Sequence, residues 1–185
     1  MREVDKFNEV DNFKKVKGPS KQAGFGALEV MVALGVGLLV VLGAIAWKSK
    51  MDNSSNNQAE VENIASLIAN IKQLKTASGY GASGADLIPL LINSEGVPGS
   101  MAKTSSSVAN VWGGAVTLVS TGLGYTLTYA GVPTANCLFL STQANNGNGM
   151  SLRINGGTAI SGEVTSAAAD AACSSNSNAL AWSGR

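Results

Sequence analysis

The chain has no histidine. That absence removes Ser-His-Asp and Cys-His catalysis and any His-ligated zinc site. Charge is sparse at 14% of residues, aromatics are 5%, and the net charge is +1. No basic run is present that would track nucleic acid or an anionic membrane surface. Only four prolines occur, and none lies between Ser20 and Ile88. Ser-Lys chemistry is the one nucleophilic scheme left, and no S-x-x-K appears together with its supporting motifs. The run Asn145-Asn146-Gly147-Asn148-Gly149 lacks the Lys-Ser/Thr and following helix of a phosphate loop. Asp52, Glu60 and Glu62 read as a solvated helix surface rather than a metal site. The expectation is a protein without catalytic residues, metal or cofactor, and not an enzyme.

What is present begins with a charged leader that ends at Gly24. From Phe25 to Trp47 the chain is apolar except for Glu29. As a helix at about 1.5 Å per residue this segment spans roughly 35 Å, enough to cross a bilayer. Lys14, Lys15, Lys17 and Lys21 precede it, and Lys48 and Lys50 follow. The positive-inside rule places the N-terminus in the cytoplasm, and Trp47 fits an interfacial anchor on the far side. The apolar run is too long, and the leader too mixed in charge, for a secretory signal peptide. A plain single-pass anchor explains the hydrophobicity but not Gly24-Phe25 followed by Glu29. An acid inside a membrane segment is a functional-site hypothesis by default. Gly35, Gly37 and Gly43 suit either close helix packing or local helix flexibility.

Beyond a polar stretch over 51–57, helical periodicity resumes. Val61, Ile64, Ala65, Leu67, Ile68, Ile71 and Leu74 follow i, i+3, i+4, i+7 spacing and mark one apolar face. Glu60, Glu62, Asn63, Asn70, Lys72, Gln73 and Lys75 fall mostly on the other. Ser78-Gly79-Tyr80-Gly81 ends the helix. A short helix capped near Asp86 holds Pro89 in its first turn. Asn110-Val111-Trp112-Gly113-Gly114 introduces a hairpin, with strands over 115–120 and 125–130 around residues 121–124. A helix starts at Pro133 with Thr134 as its cap, a strand covers 151–155, a helix 165–173, and Leu180-Ala181-Trp182 closes the fold as a strand. The expected class is α+β: a long N-terminal helix, hydrophobic in its first half and amphipathic in its second, packed on an antiparallel sheet.

Both cysteines, Cys137 and Cys173, lie beyond the apolar segment. Two thiols in an extracytoplasmic part favour one disulfide. Two unpaired buried thiols are the alternative.

Gly24, then an apolar Phe25, then Glu29 at the fifth position resembles the processing site of a type IV prepilin. The leader of about two dozen residues, the Trp112-Gly113-Gly114 run before the hairpin, and cysteines at or near short helices resemble the long-leader (type IVb) class, which includes bundlin and the toxin-coregulated pilin. Phe25 departs from the first mature residue of many members of that class. The resemblance implies cleavage between Gly24 and Phe25 by a membrane prepilin peptidase and N-methylation of Phe25. It also implies a structural role in a helical homo-oligomer, in which Glu29 pairs with a neighbour's N-terminal amine; a protonated or snorkelling Glu29 is the bland reading.

The expected organisation is a leader (1–24, removed), a transmembrane and filament-core helix half (25–47), an amphipathic helix half (48–78) and a globular head (79–185). The expected function is the major subunit of a type IV pilus used for adhesion, aggregation or conjugative contact. Its partners are copies of itself, the peptidase, the assembly machinery and, before assembly, the inner membrane; no nucleic acid is expected. Localisation runs from inner membrane to extracellular pilus. The alternatives are a type II secretion pseudopilin or minor pilin, and an inner-membrane-anchored periplasmic binding or sensory domain.

Overall fold

The computed structural model describes residues 54–144 and 149–185. The leader, the apolar segment and residues 145–148 lie outside them, and with them Gly24, Phe25 and Glu29. Among the described residues no helix is long and apolar enough to cross a membrane.

Helix α1 covers residues 54–73 of the described chain. Ile64, Leu67, Ile68 and Ile71 are buried along it at the spacing of one helix face. The stripe differs from expectation in two ways. Ala65 is exposed, and Glu60 and Asn63 are buried. Positions 60, 64, 67 and 71 lie on one line, so a residue at 60 faces inward whatever its polarity. The two polar side chains are accommodated by partners. The Val111 amide donates to Glu60 Oε1 at 2.7 Å, and Ser100 Oγ donates to Asn63 Oδ1 at 2.7 Å. Residues 54–57 are helical despite their poor propensity. Tertiary contact overrides it there: Asn136 Nδ2 donates to Asn57 Oδ1 at 2.6 Å.

The helix also stops earlier than 78. Thr76 and Gly79 exchange backbone hydrogen bonds of 2.9 and 3.0 Å in a tight turn. Gly79 has φ +98, and a Cβ there would lie 2.4 Å from the Gly122 carbonyl oxygen. Only glycine fits a left-handed residue pressed against another backbone. The Tyr80 amide then donates to the Gly122 carbonyl at 2.8 Å, which seats the turn on the hairpin tip.

Helix α2 is Ile88–Asn93, with Pro89 in its first turn. The N-cap position falls on Leu87, which makes no side-chain cap; Asp86, one residue earlier, accepts from the Ile88 amide at 2.9 Å through Oδ1. The sheet has seven antiparallel strands. They are β1 (Ala102–Lys103), β2 (Val108–Ala109), β3 (Ala115–Ser120), β4 (Tyr125–Val132), β5 (Ser151–Ile154), β6 (Ile160–Ser161) and β7 (Asn178–Gly184). The order is β1-β2-β3-β4-β7-β5-β6, so the last strand enters the middle. The two-residue strands β1, β2 and β6 were not expected. Each exists by pairing with a neighbour rather than through a pattern of its own. Helix α3 (Thr134–Gln143) and helix α4 (Ser166–Ala172) complete the described fold. Thr134 is not the cap of α3; Pro133 holds that position, and the Thr134 hydroxyl donates to the Ser175 carbonyl at 2.7 Å.

Burial alternates along β3, β4, β5 and β7, so one sheet face is the core face. Leu118, Leu127, Leu152, Leu180 and Trp182 from that face join Ile64, Leu67 and Ile71 of α1 in one cluster. The few aromatics are concentrated here. Tyr80 meets Tyr125 edge-on at 5.3 Å, and Tyr129 meets Trp182 edge-on at 5.7 Å. The outer edge of β3 is covered twice. β2 pairs at its start, and the Leu87 amide and Ala85 carbonyl bond to Leu118 and Ser120 near its end. Such cover blunts an edge that would otherwise recruit another strand.

Candidate functional site

Cys137 lies in the first turns of α3, and Cys173 is the C-cap residue of α4. They are joined, with Cα atoms 5.9 Å apart and a sequence separation of 36. Both are buried. The bond closes a segment that contains β5, β6 and α4, which is one whole edge of the sheet.

A polar network surrounds that bond. Asn178 Nδ2 donates to the carbonyls of Val132, at 3.1 Å, and Ser175. Asn178 Oδ1 accepts from Asn155 Nδ2 at 2.8 Å. Asn155, at φ +52, also donates to the Ala172 carbonyl at 2.9 Å and accepts from the Ala179 amide at 2.8 Å. Two asparagines thereby tie β4, β5, α4 and β7 together beside the disulfide. Sequence reasoning missed both. The available signal was weak: Asn tolerates left-handed backbone and bonds local backbone groups.

The Asn110–Gly114 loop is built in the same way. Asn110 Oδ1 accepts from the Trp112 amide at 3.1 Å and the Gly114 amide at 2.9 Å, and its Nδ2 donates to the Ala130 carbonyl at 2.8 Å. A Cβ on Gly114 would lie 1.8 Å from the Ala130 oxygen, so the loop and β4 approach as closely as backbones can. Val111 stands 46% exposed at the loop's crest.

Glu60 reaches that loop from α1 and is 1% exposed. Its Oε2 and the Trp112 indole nitrogen are buried without hydrogen-bond partners among the described residues. Burial pushes the Glu60 carboxyl above the ordinary carboxylate range. The Val111 amide, then Asn63 and Tyr129, pull it back in part. Burial, reinforced by the nearby Glu60, holds the Tyr129 phenol well above its usual range. Tyr125 is pushed up to about 12, first by burial and then by Tyr80. Glu60 is thus a correction to the sequence reading, which placed it on a solvated surface.

Between α1 and the end of α3 runs an open groove of about 350 Å³, where Val61, Ala65 and Ala69 face Gln143 and Ala144. The one S-x-x-K spacing, Ser100 to Lys103, is not a catalytic pair. Ser100 bonds Asn63, and the Lys103 ammonium donates to the Val97 carbonyl at 3.4 Å.

The described fold is α+β: a helix on an antiparallel sheet whose last strand is inserted centrally, with a disulfide closing the C-terminal edge. The chain belongs to the PilS family, described as PilS N terminal, which matches residues 54–184. This is a pilin-related family of type IV pilus systems. No curated protein matches the chain.

Proposed function

We propose that this protein is the major structural subunit of a type IV pilus of the long-leader class, similar to bundlin and the toxin-coregulated pilin, and not an enzyme. The observation that carries the reading is the family match over 54–184, joined to Gly24-Phe25 and Glu29 ahead of it. In this reading the peptidase cuts after Gly24, where a glycine lets the backbone enter a narrow site without a side chain in the way. Phe25 then carries the methylated amine. The 25–47 segment holds the subunit in the inner membrane and later lies in the filament core. There Glu29 offers a neighbour's amine a partner in a low-dielectric bundle. The disulfide-closed head faces outward, where an oxidising exterior keeps Cys137 and Cys173 joined.

The test is recovery of filaments sheared from cells, followed by mass analysis of the subunit's N-terminus. The expected result is an abundant chain that begins at methylated Phe25. A chain that begins at Met1 and stays with the membrane would overturn the reading in favour of an anchored periplasmic domain. A processed chain present only in traces would favour a minor pilin or pseudopilin.

A further inference from the structure

Glu60 is the only acidic side chain among the described residues that is buried. It has no salt bridge among those residues, and no cation contributes to its electrostatic surroundings. α1 presents Asn63 to it, β4 presents Tyr129, and the Asn110–Gly114 loop presents only the Val111 amide. The Val111 amide bonds Oε1; Oε2 is buried without a well-formed hydrogen bond, and the Asn63 and Tyr129 side chains favour the ionised form only in part. Within the loop the Asn110 side chain satisfies the Trp112 and Gly114 amides, and its Nδ2 anchors the base of the loop to the Ala130 carbonyl of β4, so the part free to move is the Val111-Trp112 tip. Its hydrogen bond to α1 is the one to Glu60. The Trp112 indole N–H, on the same loop, is buried without a partner. Two unsatisfied polar atoms on one short loop and its seat make closure conditional, since opening would hydrate both.

We propose that Glu60 and the Asn110–Gly114 loop form a proton-controlled latch. The loop lies closed on α1 while Glu60 is protonated and opens when it is ionised, freeing the Val111-Trp112 tip. The sign follows from linkage. Closure raises the carboxyl's proton affinity above that of hydrated Glu, so the closed state binds the proton more tightly than the open one. Closure is therefore fully supported below the ordinary carboxylate value. It weakens as pH rises towards the closed-state value and levels off above it. Tyr129, held well above its usual range, stays neutral throughout.

The experiment is hydrogen exchange with mass readout on the full disulfide-intact chain in detergent micelles, from pH 4 to pH 8, with rates corrected for intrinsic pH dependence. The wild-type peptide over 108–114 should lose protection several-fold as pH rises, while peptides from β4 and β7 hold theirs. Glu60→Gln keeps an acceptor for the Val111 amide and cannot ionise, so its protection should be high and flat with pH. Glu60→Ala removes the acceptor, so protection should be about tenfold lower and also flat. A flat wild-type profile would overturn the latch. So would an equal slope in Glu60→Gln, or a loss shared by β4 and β7, which is global unfolding. The wild-type profile decides the matter even if either variant fails to fold.

Discussion

Replacing Cys137 and Cys173 together with alanine tests how the head is held. The bond closes 36 residues of separation. In the chain-entropy account, releasing a loop of that size costs about 4 kcal/mol, through the unfolded ensemble. Two buried sulfurs are also lost, which adds on the order of 1 kcal/mol. A domain of ordinary stability has roughly 5–15 kcal/mol in hand, so the loss is a large share of it. The native geometry should nonetheless survive. Asn155 still holds the Ala172 carbonyl, Thr134 still reaches Ser175, and β5 keeps its four register pairs with β7. The assay is urea unfolding of the full chain followed by circular dichroism. With a slope of about 1–3 kcal/mol per molar, the midpoint should fall by roughly 2–5 M. Wild-type protein treated with a reductant should behave like the variant, apart from the sulfur packing term. A midpoint shift under about 0.5 M in both would refute the claim that this closure stabilises the head. Loss of the sheet signal before any urea is added would refute the claim that the native contacts suffice.

Gly114→Ala sets a methyl group 1.8 Å from the Ala130 oxygen, which the Asn110 amide pins in place. It should destabilise by about 3 kcal/mol in the same unfolding assay, and a change under about 1 kcal/mol would show that the loop can give. Glu29→Ala removes a charge from an apolar segment, so insertion and cleavage at Gly24 should persist while filament assembly fails or slows. The ratio of filament to membrane-held subunit checks this on a processed variant, and normal piliation would exclude Glu29 as the assembly contact.

The elements that alternate or repeat were readable in the chain. The hairpin of β3 and β4, the α4 helix and β7 all carry their pattern locally, and Asp86 and Pro89 mark α2 by chemistry alone. Placement was not readable. Nothing in Leu180-Ala181-Trp182 says that its strand lies between β4 and β5, because that depends on partners far away in sequence. The same limit explains Glu60 and Asn63. A polar residue at an inward helix position looks solvated until its partner is known, and those partners, Val111 and Ser100, lie 51 and 37 residues away. The spacing of 60 with 64, 67 and 71 was the one available clue. The residues that the resemblance singles out, Gly24, Phe25 and Glu29, fall outside the described fold. For the candidate site, the structure therefore adds the disulfide and the loops around it rather than the processing motif.

Asparagine changes meaning between the two levels. In the sequence, Asn beside Ser and Gly reads as turn material of low propensity. In the fold, Asn110, Asn155 and Asn178 each bond backbone groups on segments distant in sequence, and Asn110 and Asn178 are buried. The physical reason is the shape of the amide group, which donates and accepts at once and so can satisfy two strands where a helix or sheet ladder ends. A chain with little charge and few aromatics has few long side chains with which to bridge its loops. Short amides do so here, at positions where an apolar residue would leave backbone groups unpaired. It follows that the loops of this head are structural members, and that substituting one of these asparagines should loosen elements on both sides of it rather than a single turn.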